Sequence, residues 1–400
     1  MRQTHSESPI HMISCQRDQF SLPENIHYLN CAFMSPQAKR VEDAGQVGLR
    51  SMRNPAEIGP DDFFKTSDAV RHAFADLINA DQANRVSLAP AASYGIATAA
   101  RNLEVPKGSE IVVLFEQFPS NIYTWRRLAS ERGLKLIEIS PPKLSEHRGK
   151  IWNERILESI SSSTSAVCLP TVHWTDGTRF DLKAIATRVR EVDAALIVDG
   201  TQSVGAMPFD VQEVRPDCLI CAGYKWLLGP YSIAMVYWGE RFDDGIPLEE
   251  NWVTRKGSEN FASVMIYQDA YREGAIRYDV GERSNFILMP MMLEAIRMVS
   301  ELEPSRIQDY CHELSSEVLD EAVELGYQLE SEPFRSHHLF GIRVPDGIPF
   351  DRLKRKLADH RVSASVRGSA IRVSPNVYND SGDVDALLSA LRACVTESVQ

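Results

Sequence analysis

The sequence has 400 residues, of which 44% are hydrophobic and 24% are charged, a composition that excludes intrinsically disordered, collagen-like and coiled-coil proteins. The formal net charge of −12 argues against a nucleic-acid-binding protein, because that binding depends on Lys and Arg side chains that neutralise phosphates. The polar amino terminus has no signal-peptide pattern, and no run of about 18 apolar residues indicates a membrane span, so we expect a cytoplasmic protein.

Short apolar runs alternate with amphipathic segments along most of the chain. Residues 37–53 and 61–79 are predicted to be helical, with Pro36 in the first turn. The apolar runs that follow contain Val, Ile, Leu and Cys without polar alternation, which is typical of strands covered on both faces of a mostly parallel sheet. The predicted strands are residues 85–88, 110–115, 134–139, 166–169, 194–198, 218–221 and 233–237, and helices are predicted between them at 93–103, 119–132, 151–162 and 180–192.

The pattern changes beyond about residue 286. Two helices (287–302 and 304–325), two short strands (338–344 and 369–374) and a closing helix (381–398) are predicted there. We therefore expect an α/β protein with an amino-terminal segment (1–35), a large domain with a mainly parallel seven-stranded sheet (36–285) and a smaller α+β carboxyl-terminal domain (286–400).

The seven cysteines are scattered, which is typical of reduced thiols in the cytosol. Cys218 and Cys221 form a CxxC pair, but they lie in an apolar run that predicts a buried strand. No second CxxC or paired histidines complete a metal site, so we interpret the pair as structural and expect no metal.

Two chemically distinctive residues follow predicted strands. Asp199 ends one strand and could cap a helix, bind a metal or pair with a cation. Lys225 follows the strand at 218–221 in apolar company, which lysines avoid unless they are paired, snorkelling or chemically used. A lysine amine for an aldehyde and a carboxylate for a pyridinium nitrogen together indicate pyridoxal phosphate chemistry.

The Asp-Gly-Thr-Gln-Ser segment at 199–203 and the Tyr-Lys pair at 224–225 resemble the class V aminotransferase group of fold-type I pyridoxal-phosphate enzymes. Cysteine desulfurases, kynureninases and isopenicillin N epimerase-like proteins belong to that group. The resemblance runs from about Tyr28 to the last helix. It implies the fold-type I architecture, pyridoxal 5′-phosphate as cofactor, Lys225 as its covalent anchor and Asp199 at its ring nitrogen.

The resemblance also assigns further cofactor contacts. The start of a helix at Ala92 and Ser93 suits the phosphate, although a serine-capped helix is equally consistent with this pattern. Phe118 is predicted to stack on the cofactor ring, where desulfurases use a histidine. Because a phenyl ring carries no proton, acid–base chemistry would then fall to Lys225. Gln202 is predicted to bind the phenolic oxygen, and Tyr224 the phosphate.

Four residues are predicted to bind the substrate. Arg372 lies in an apolar strand; the resemblance implies that it binds the α-carboxylate, and a structural ion pair is the alternative. Asn121, in the Phe-Pro-Ser-Asn run, is predicted to face the substrate. Trp174 either forms an aromatic wall or packs in the core, and His173 is either an active-site group or a structural histidine.

The segment around Ser284 and Asn285 resembles the part of the family that reaches the phosphate of the neighbouring subunit. Arg283, Ser284 or Asn285 could serve, and the sequence leaves the choice open. The resemblance thus implies a homodimer with shared active sites that acts on a small α-amino acid.

The fold does not name the reaction. The segment at 360–369 contains no cysteine, which argues against the persulfide chemistry of desulfurases. We predict a lyase that cleaves a Cβ–S or Cβ–C bond. The second-ranked alternative is an aminotransferase that ends its half-reaction with a pyridoxamine cofactor, and the third is an amino-acid epimerase. A catalytically inactive scaffold is the non-enzymatic alternative, but the presence of the lysine, aspartate, glutamine and arginine argues against it.

Overall fold

The structure is a computed structural model and describes residues 13–143, 147–368 and 370–396. Short 3₁₀ helices join many of its regular elements. The strands are β1 (His27–Tyr28), β2 (Val86–Ala89), β3 (Glu110–Leu114), β4 (Lys135–Ile139), β5 (Thr164–Pro170), β6 (Ala195–Asp199), β7 (Cys218–Ala222), β8 (Ala234–Trp238), β9 (Phe340–Arg343), β10 (Val362–Ser363), β11 (Ser365–Arg367) and β12 (Ala370–Val373). The α-helices are α1 (Lys39–Ser51), α2 (Lys65–Leu77), α3 (Ala92–Asn102), α4 (Tyr123–Arg132), α5 (Arg148–Ser159), α6 (Leu182–Glu191), α7 (Val211–Val214), α8 (Leu288–Leu302), α9 (Pro304–Glu324), α10 (Phe350–Asp359) and α11 (Ser381–Thr396).

The central sheet has seven strands in the order β2-β8-β7-β6-β5-β3-β4. The four pairs formed by β3 to β7 are parallel, whereas β8 runs antiparallel to both of its neighbours, β2 and β7. Each strand of this sheet overlaps one of the strands predicted from the apolar runs. The expected α/β fold with a mainly parallel sheet is therefore confirmed.

Helices cover both faces of this sheet, which explains why its strands lack polar alternation. Alternate residues of β3 enter two separate hydrophobic clusters: Val112 packs with the cluster that contains α5 and α6, and Val113 with the cluster that contains α3 and α4. Cys218 and Cys221 divide in the same way between the two clusters. Because their side chains lie on opposite faces of β7, the two thiols cannot bind one metal ion.

A smaller antiparallel sheet, in the order β11-β12-β9, lies towards the carboxyl terminus and packs with α9, α10 and α11. The parallel pair of β1 and β10 connects the predicted amino-terminal segment to this region. The first helix begins at Lys39, so the prediction that Pro36 lies in its first turn is wrong. None of the helices in the described ranges has the length and apolarity needed to cross a bilayer.

The topology brings the strand ends together. The carboxyl ends of the parallel strands meet at one edge of the large sheet, where ligands collect in open α/β folds. Asp199 ends β6, Lys225 follows β7, and Phe118 follows β3. Arg372 approaches the same region from β12 of the small sheet.

Candidate active site

A cavity of about 330 Å³ lies at this edge, and we call it the first cavity. Its walls come from the segments that follow β2, β3, β5, β6 and β7. Most of the residues predicted for the site therefore meet in one place. Those that line the first cavity are Ala92, Ser93, Phe118, Trp174, Asp199, Gln202, Tyr224 and Lys225.

Lys225 is 5% exposed and lies in a tight turn after β7. The backbone N–H of Leu228 donates to the Lys225 carbonyl at 3.1 Å and closes the turn. Leu228 itself has a backbone φ angle of +55°. Such left-handed backbone is uncommon for leucine and indicates local strain of the kind that functional sites hold. Burial, and next the positive charge of Arg372, lower the pKa of the Lys225 amine to about 8. An appreciable fraction of the amine is therefore neutral and nucleophilic near neutral pH.

Asp199 faces the first cavity from the end of β6. The backbone N–H of Thr201 donates to its Oδ1 at 3.0 Å, and Asn121 Nδ2 donates to its Oδ2 at 3.4 Å. Burial raises the pKa of the Asp199 carboxyl, and among the described residues no cation forms an ion pair with it. A buried carboxylate needs a positive partner or strong donors, so this position suits a ligand that presents a cationic N–H.

Asn121 is buried and lies under Asp199 instead of in the cavity wall, which differs from the predicted substrate contact. Its Oδ1 accepts a hydrogen bond from Trp125 Nε1 at 3.0 Å, and its backbone carbonyl accepts one from Gln117 Nε2 at 2.7 Å. These bonds fix the amide so that its N–H₂ group points at the carboxylate. Asn121 thus orients Asp199.

Phe118 and Trp174 form an aromatic wall. The Phe118 ring lies 5.4 Å from Lys225 Nζ, and it meets the Trp174 ring edge-to-face with 5.4 Å between the centroids. Trp174 Nε1 donates to the Glu116 carbonyl at 2.7 Å, which fixes the indole. Phe118 is 38% exposed, so its ring is available to a planar ligand instead of being enclosed in the core.

The amino terminus of α3 forms another wall of the first cavity. The residue that caps this helix is Ala91, and Ser93 is the second helical residue, so the alternative of a serine-capped helix is wrong. Ala91, Ala92 and Ser93 all line the cavity. The free backbone N–H groups of a first helical turn, together with a nearby hydroxyl, are suited to a phosphate.

Gln202 and Tyr224 complete the cofactor side of the cavity. Gln202 Oε1 accepts from Trp226 Nε1 at 3.0 Å and its Nε2 donates to the Ala32 carbonyl at 3.2 Å, which holds the amide in place. One amide hydrogen then remains for a ligand. The Tyr224 ring lies 4.6 Å from that of Tyr231 at the edge of the cavity.

Arg372 is 1% exposed, yet none of the described carboxylates pairs with it. Its Nη1 donates to the Trp174 carbonyl at 2.9 Å, and its Nε has no hydrogen-bond partner in the described part of the chain. Burial, and next the neighbouring Arg367, lower the pKa of Arg372 to about 9. The alternative of a structural ion pair finds no support here, and the unpaired guanidinium is suited to a substrate carboxylate.

His173 does not line the first cavity. Its Nδ1 lies 2.7 Å from Thr175 Oγ1, and its ring packs against Trp152 with 5.1 Å between the centroids. Burial lowers the pKa of His173, so the imidazole is neutral. These contacts hold the ring in place, as the structural interpretation expects, and His173 also lines the neighbouring cavity that is described below.

The segment at 283–285 lies away from the first cavity of its own chain. Arg283 forms an ion pair with Asp279 at 2.9 Å, and the Ser284 hydroxyl donates to the Phe63 carbonyl. Asn285 Oδ1 accepts from the backbone N–H of Leu288 at 2.8 Å at the start of α8. A contact with the phosphate of a second subunit remains a prediction.

Sequence reasoning missed Thr201 and Arg367. Thr201 supports Asp199 two residues before it in the chain, and this Asp-x-Thr spacing was a signal for such a contact. Arg367 lies over the Trp174 ring at 5.3 Å. No signal in the sequence could place Arg367 there, because the contact joins two distant segments.

The residues around the first cavity fit pyridoxal phosphate. The Lys225 amine can take the aldehyde, the unpaired Asp199 can take the ring nitrogen, and the α3 terminus can take the phosphate. Phe118 offers an accessible ring for the cofactor face. Each functional group of the cofactor thus has a complementary group in the cavity.

Comparisons with known proteins find relatives along most of this chain. A family model described as "Aminotransferase class-V" matches residues 60–387. The uncharacterized aminotransferase YcbU of Bacillus subtilis is 26% identical over 329 residues, which cover 82% of this chain and 83% of YcbU. A probable cysteine desulfurase of Halalkalibacterium halodurans is 28% identical over 314 residues, which cover 75% of this chain and 73% of that protein.

Solved structures show the same architecture. The apo structure of a cysteine desulfurase from Thermococcus onnurineus NA1 matches with a TM-score of 0.82 and 20% identity, and the match covers 96% of this chain and 99% of that chain. At this level of identity the similarity shows the fold alone.

Proposed function

The chain belongs to the class V aminotransferase family of pyridoxal-phosphate-dependent enzymes, and we propose that it is a lyase that cleaves a Cβ–S or Cβ–C bond of an L-amino acid without a catalytic cysteine. One observation carries this proposal: Lys225 and Asp199 line the first cavity together, Arg372 donates to the backbone carbonyl of Trp174 in its wall, and no cysteine lines this cavity in the described structure. When bound, the cofactor supplies an electron sink for the substrate Cα.

Each residue then has a defined task. Arg372 binds the α-carboxylate and so orients the substrate. Lys225 binds the cofactor aldehyde and, when free, accepts the proton of the substrate Cα, since its lowered pKa of about 8 provides neutral amine. Asp199 holds the proton of the ring nitrogen. Phe118 excludes water from one ring face and transfers no proton.

The cysteines support a lyase rather than a desulfurase. Six of the seven cysteines are buried. Cys31 is the one whose sulfur approaches the Lys225 carbonyl, at 4.0 Å, but it is enclosed, and burial raises its pKa to about 11. A buried neutral thiol is a poor nucleophile, so a persulfide on this chain is not part of the proposal.

The lack of a proton donor in the aromatic wall favours a sulfur leaving group over a carbon leaving group. Phe118 carries no proton at the place where a general acid could assist departure. A thiolate can leave unassisted, because thiols ionise at a pKa of about 8.5, whereas a departing carbanion needs a proton or an electron sink of its own. The balanced reaction converts an S-substituted cysteine and water into pyruvate, ammonia and the free thiol.

A panel of amino acids tests this reaction. The holoenzyme is incubated with S-substituted L-cysteines and with unsubstituted L-amino acids, and keto acid, ammonia, thiol and optical rotation are measured. We expect equal amounts of pyruvate, ammonia and thiol. Keto acid without ammonia would indicate an aminotransferase, and loss of optical rotation without keto acid would indicate an epimerase. No change with any amino acid would favour the scaffold alternative.

We propose further that the enzyme is a cytosolic homodimer in which the segment at 283–285 of one subunit reaches the phosphate of the other. The scattered positions of the seven cysteines support a reducing compartment. Exposed apolar side chains support a second subunit: Met265 is 89% and Tyr267 is 93% exposed in the single chain.

A further inference from the structure

A second cavity, of about 440 Å³, lies beside the first one. The two share Gln117 and Trp174 as lining residues, so these side chains lie between the cavities. Arginines are prominent in its walls: Arg148, Arg343 and Arg367 all line it. These three arginines differ in whether a carboxylate pairs with them.

Two of the three arginines are neutralised within the protein. Arg148 forms ion pairs with Glu330 at 2.8 Å and with Asp176 at 3.1 Å. Arg343 also pairs with Asp176, at 2.6 Å. The positive and negative charges of this buried network compensate each other, so the network needs no ligand.

Arg367 differs from them. In the described ranges no carboxylate pairs with it, its Nη1 donates only to the adjacent Val366 carbonyl at 2.6 Å, and its buried Nε has no partner. Its guanidinium carbon lies 5.3 Å from the centroid of the Trp174 ring. Stacking on the indole fixes the orientation of the guanidinium but leaves its positive charge uncompensated.

Arg367 is also close to the catalytic groups. Arg372 donates to the backbone carbonyl of Trp174, whereas Arg367 lies over the ring of the same tryptophan. The charge of Arg367 contributes to lowering the pKa of both Arg372 and Lys225. A simple surface arginine would be solvated or paired, whereas this one lies half-buried in the wall of the second cavity.

We propose that Arg367 binds a second carboxylate, at the end of the substrate side chain, so that the enzyme prefers amino acids with an acidic side chain. Arg372 would hold the α-carboxylate, and the side chain would pass Trp174 towards the second cavity. This inference rests on the proposed lyase function and adds the substrate class to it.

Two matched pairs of ligands test the inference on the holoenzyme. S-carboxymethyl-L-cysteine and S-carbamoylmethyl-L-cysteine differ only in a carboxylate or an amide, and kcat/KM is measured for both. L-2-aminoadipate and L-homoglutamine have the same length without a sulfur leaving group, and their dissociation constants are measured by calorimetry. We expect the acid of each pair to be favoured by about tenfold or more, the usual effect of one charge-assisted hydrogen bond.

Arg367→Met keeps an apolar stem on Trp174 and should abolish the preference for the acids, while the values for the two amides stay the same. The unchanged amides then show that the variant is folded. Arg367→Lys should keep part of the preference. Arg372→Met should lower kcat/KM and weaken binding for the acids and the amides alike. Arg127→Met, at an exposed arginine of α4, should leave the values for both unchanged.

The outcomes separate the two proposals. If wild-type enzyme releases no pyruvate from either cysteine derivative, while calorimetry still shows the acid preference, the lyase reaction fails and the assignment of Arg367 stands. If both cysteine derivatives react equally well, or if Arg367→Met affects acid and amide equally, the acidic side-chain preference is wrong.

Discussion

The Lys225 amine lies among groups that oppose each other electrostatically. Burial and Arg372 lower its pKa, and the Asp199 carboxylate acts in the opposite direction. The result, a pKa of about 8 instead of 10.5, keeps the amine reactive without making it fully neutral. This balance is a property of the assembled site, since Asp199 ends β6, Lys225 follows β7 and Arg372 lies in β12.

This pKa predicts the pH dependence of cofactor capture. The rate at which apoprotein combines with pyridoxal phosphate should rise with pH up to about 8 and then level off, because only the neutral amine attacks the aldehyde. Removing the nearby cation in Arg372→Met should move the profile to higher pH. Stopped-flow absorbance measures both. A rate that keeps rising to pH 10 in the wild-type protein would show that the amine is not perturbed.

The chemistry of single residues was predictable where a residue type conflicted with its surroundings. Asp199 and Lys225 stand out because charged groups rarely follow apolar strands without a reason. The roles of Asn121 and Arg367 were not predictable. Their neighbours, Asp199 and Trp174, are far away in the chain, and only the folded structure brings them within reach.

At the scale of elements, α3 links the sheet to the phosphate end of the site. Its Gly95 lies so close to the sheet that a β-carbon there would stand 2.8 Å from Val236 Cγ2 and 3.2 Å from Ile220 Cγ1. The absence of a side chain at Gly95 therefore allows the helix to approach β7 and β8. Its amino terminus, with Ala92 and Ser93, reaches the first cavity as a consequence.

We expect Gly95→Val to push α3 away from the sheet. The overpacking should cost about 1–3 kcal/mol of unfolding free energy and weaken cofactor binding. Ala97→Val places the same side chain at a half-buried position of the same helix and serves as the control. Urea unfolding and cofactor titration measure the two effects. Equal stabilities for the two variants would show that the close contact is unimportant.

The elements themselves were predicted well where the hydrophobic pattern was long. All the strands of the large sheet were predicted, but the reversal of β8 was not, because an apolar run does not encode strand direction. The helices α7 and α10 and the short strands β1, β10 and β11 were missed. Strands of two or three residues carry too little pattern to recognise, and β1 pairs with a partner more than 300 residues away.

At the scale of the whole molecule, one chain leaves apolar groups without cover. Met265, Ile266 and Tyr267 are consecutive residues with exposed side chains, and exposed apolar clusters of this kind mark interaction sites. The proposed second subunit accounts for them. The domain boundaries at residues 35 and 285 stay predictions.

The mass of the protein in solution tests the homodimer. Light scattering should give twice the mass of one chain for the wild-type protein. Replacing Met265 and Tyr267 by glutamate should shift the mass towards the monomer, because burying two carboxylates in an interface is costly. Lys143→Glu, at an exposed position, should leave the dimer intact. A wild-type protein that is monomeric at all concentrations would contradict the dimer.

The position of the covalent link between chain and cofactor is the most informative single measurement. The holoenzyme is reduced with borohydride and digested, and mass spectrometry locates the labelled lysine. We expect the cofactor on the peptide that contains Lys225, and an absorption band beyond about 400 nm that Lys225→Ala lacks. A label on another lysine, or a band that survives in Lys225→Ala, would contradict the assignment of the active site.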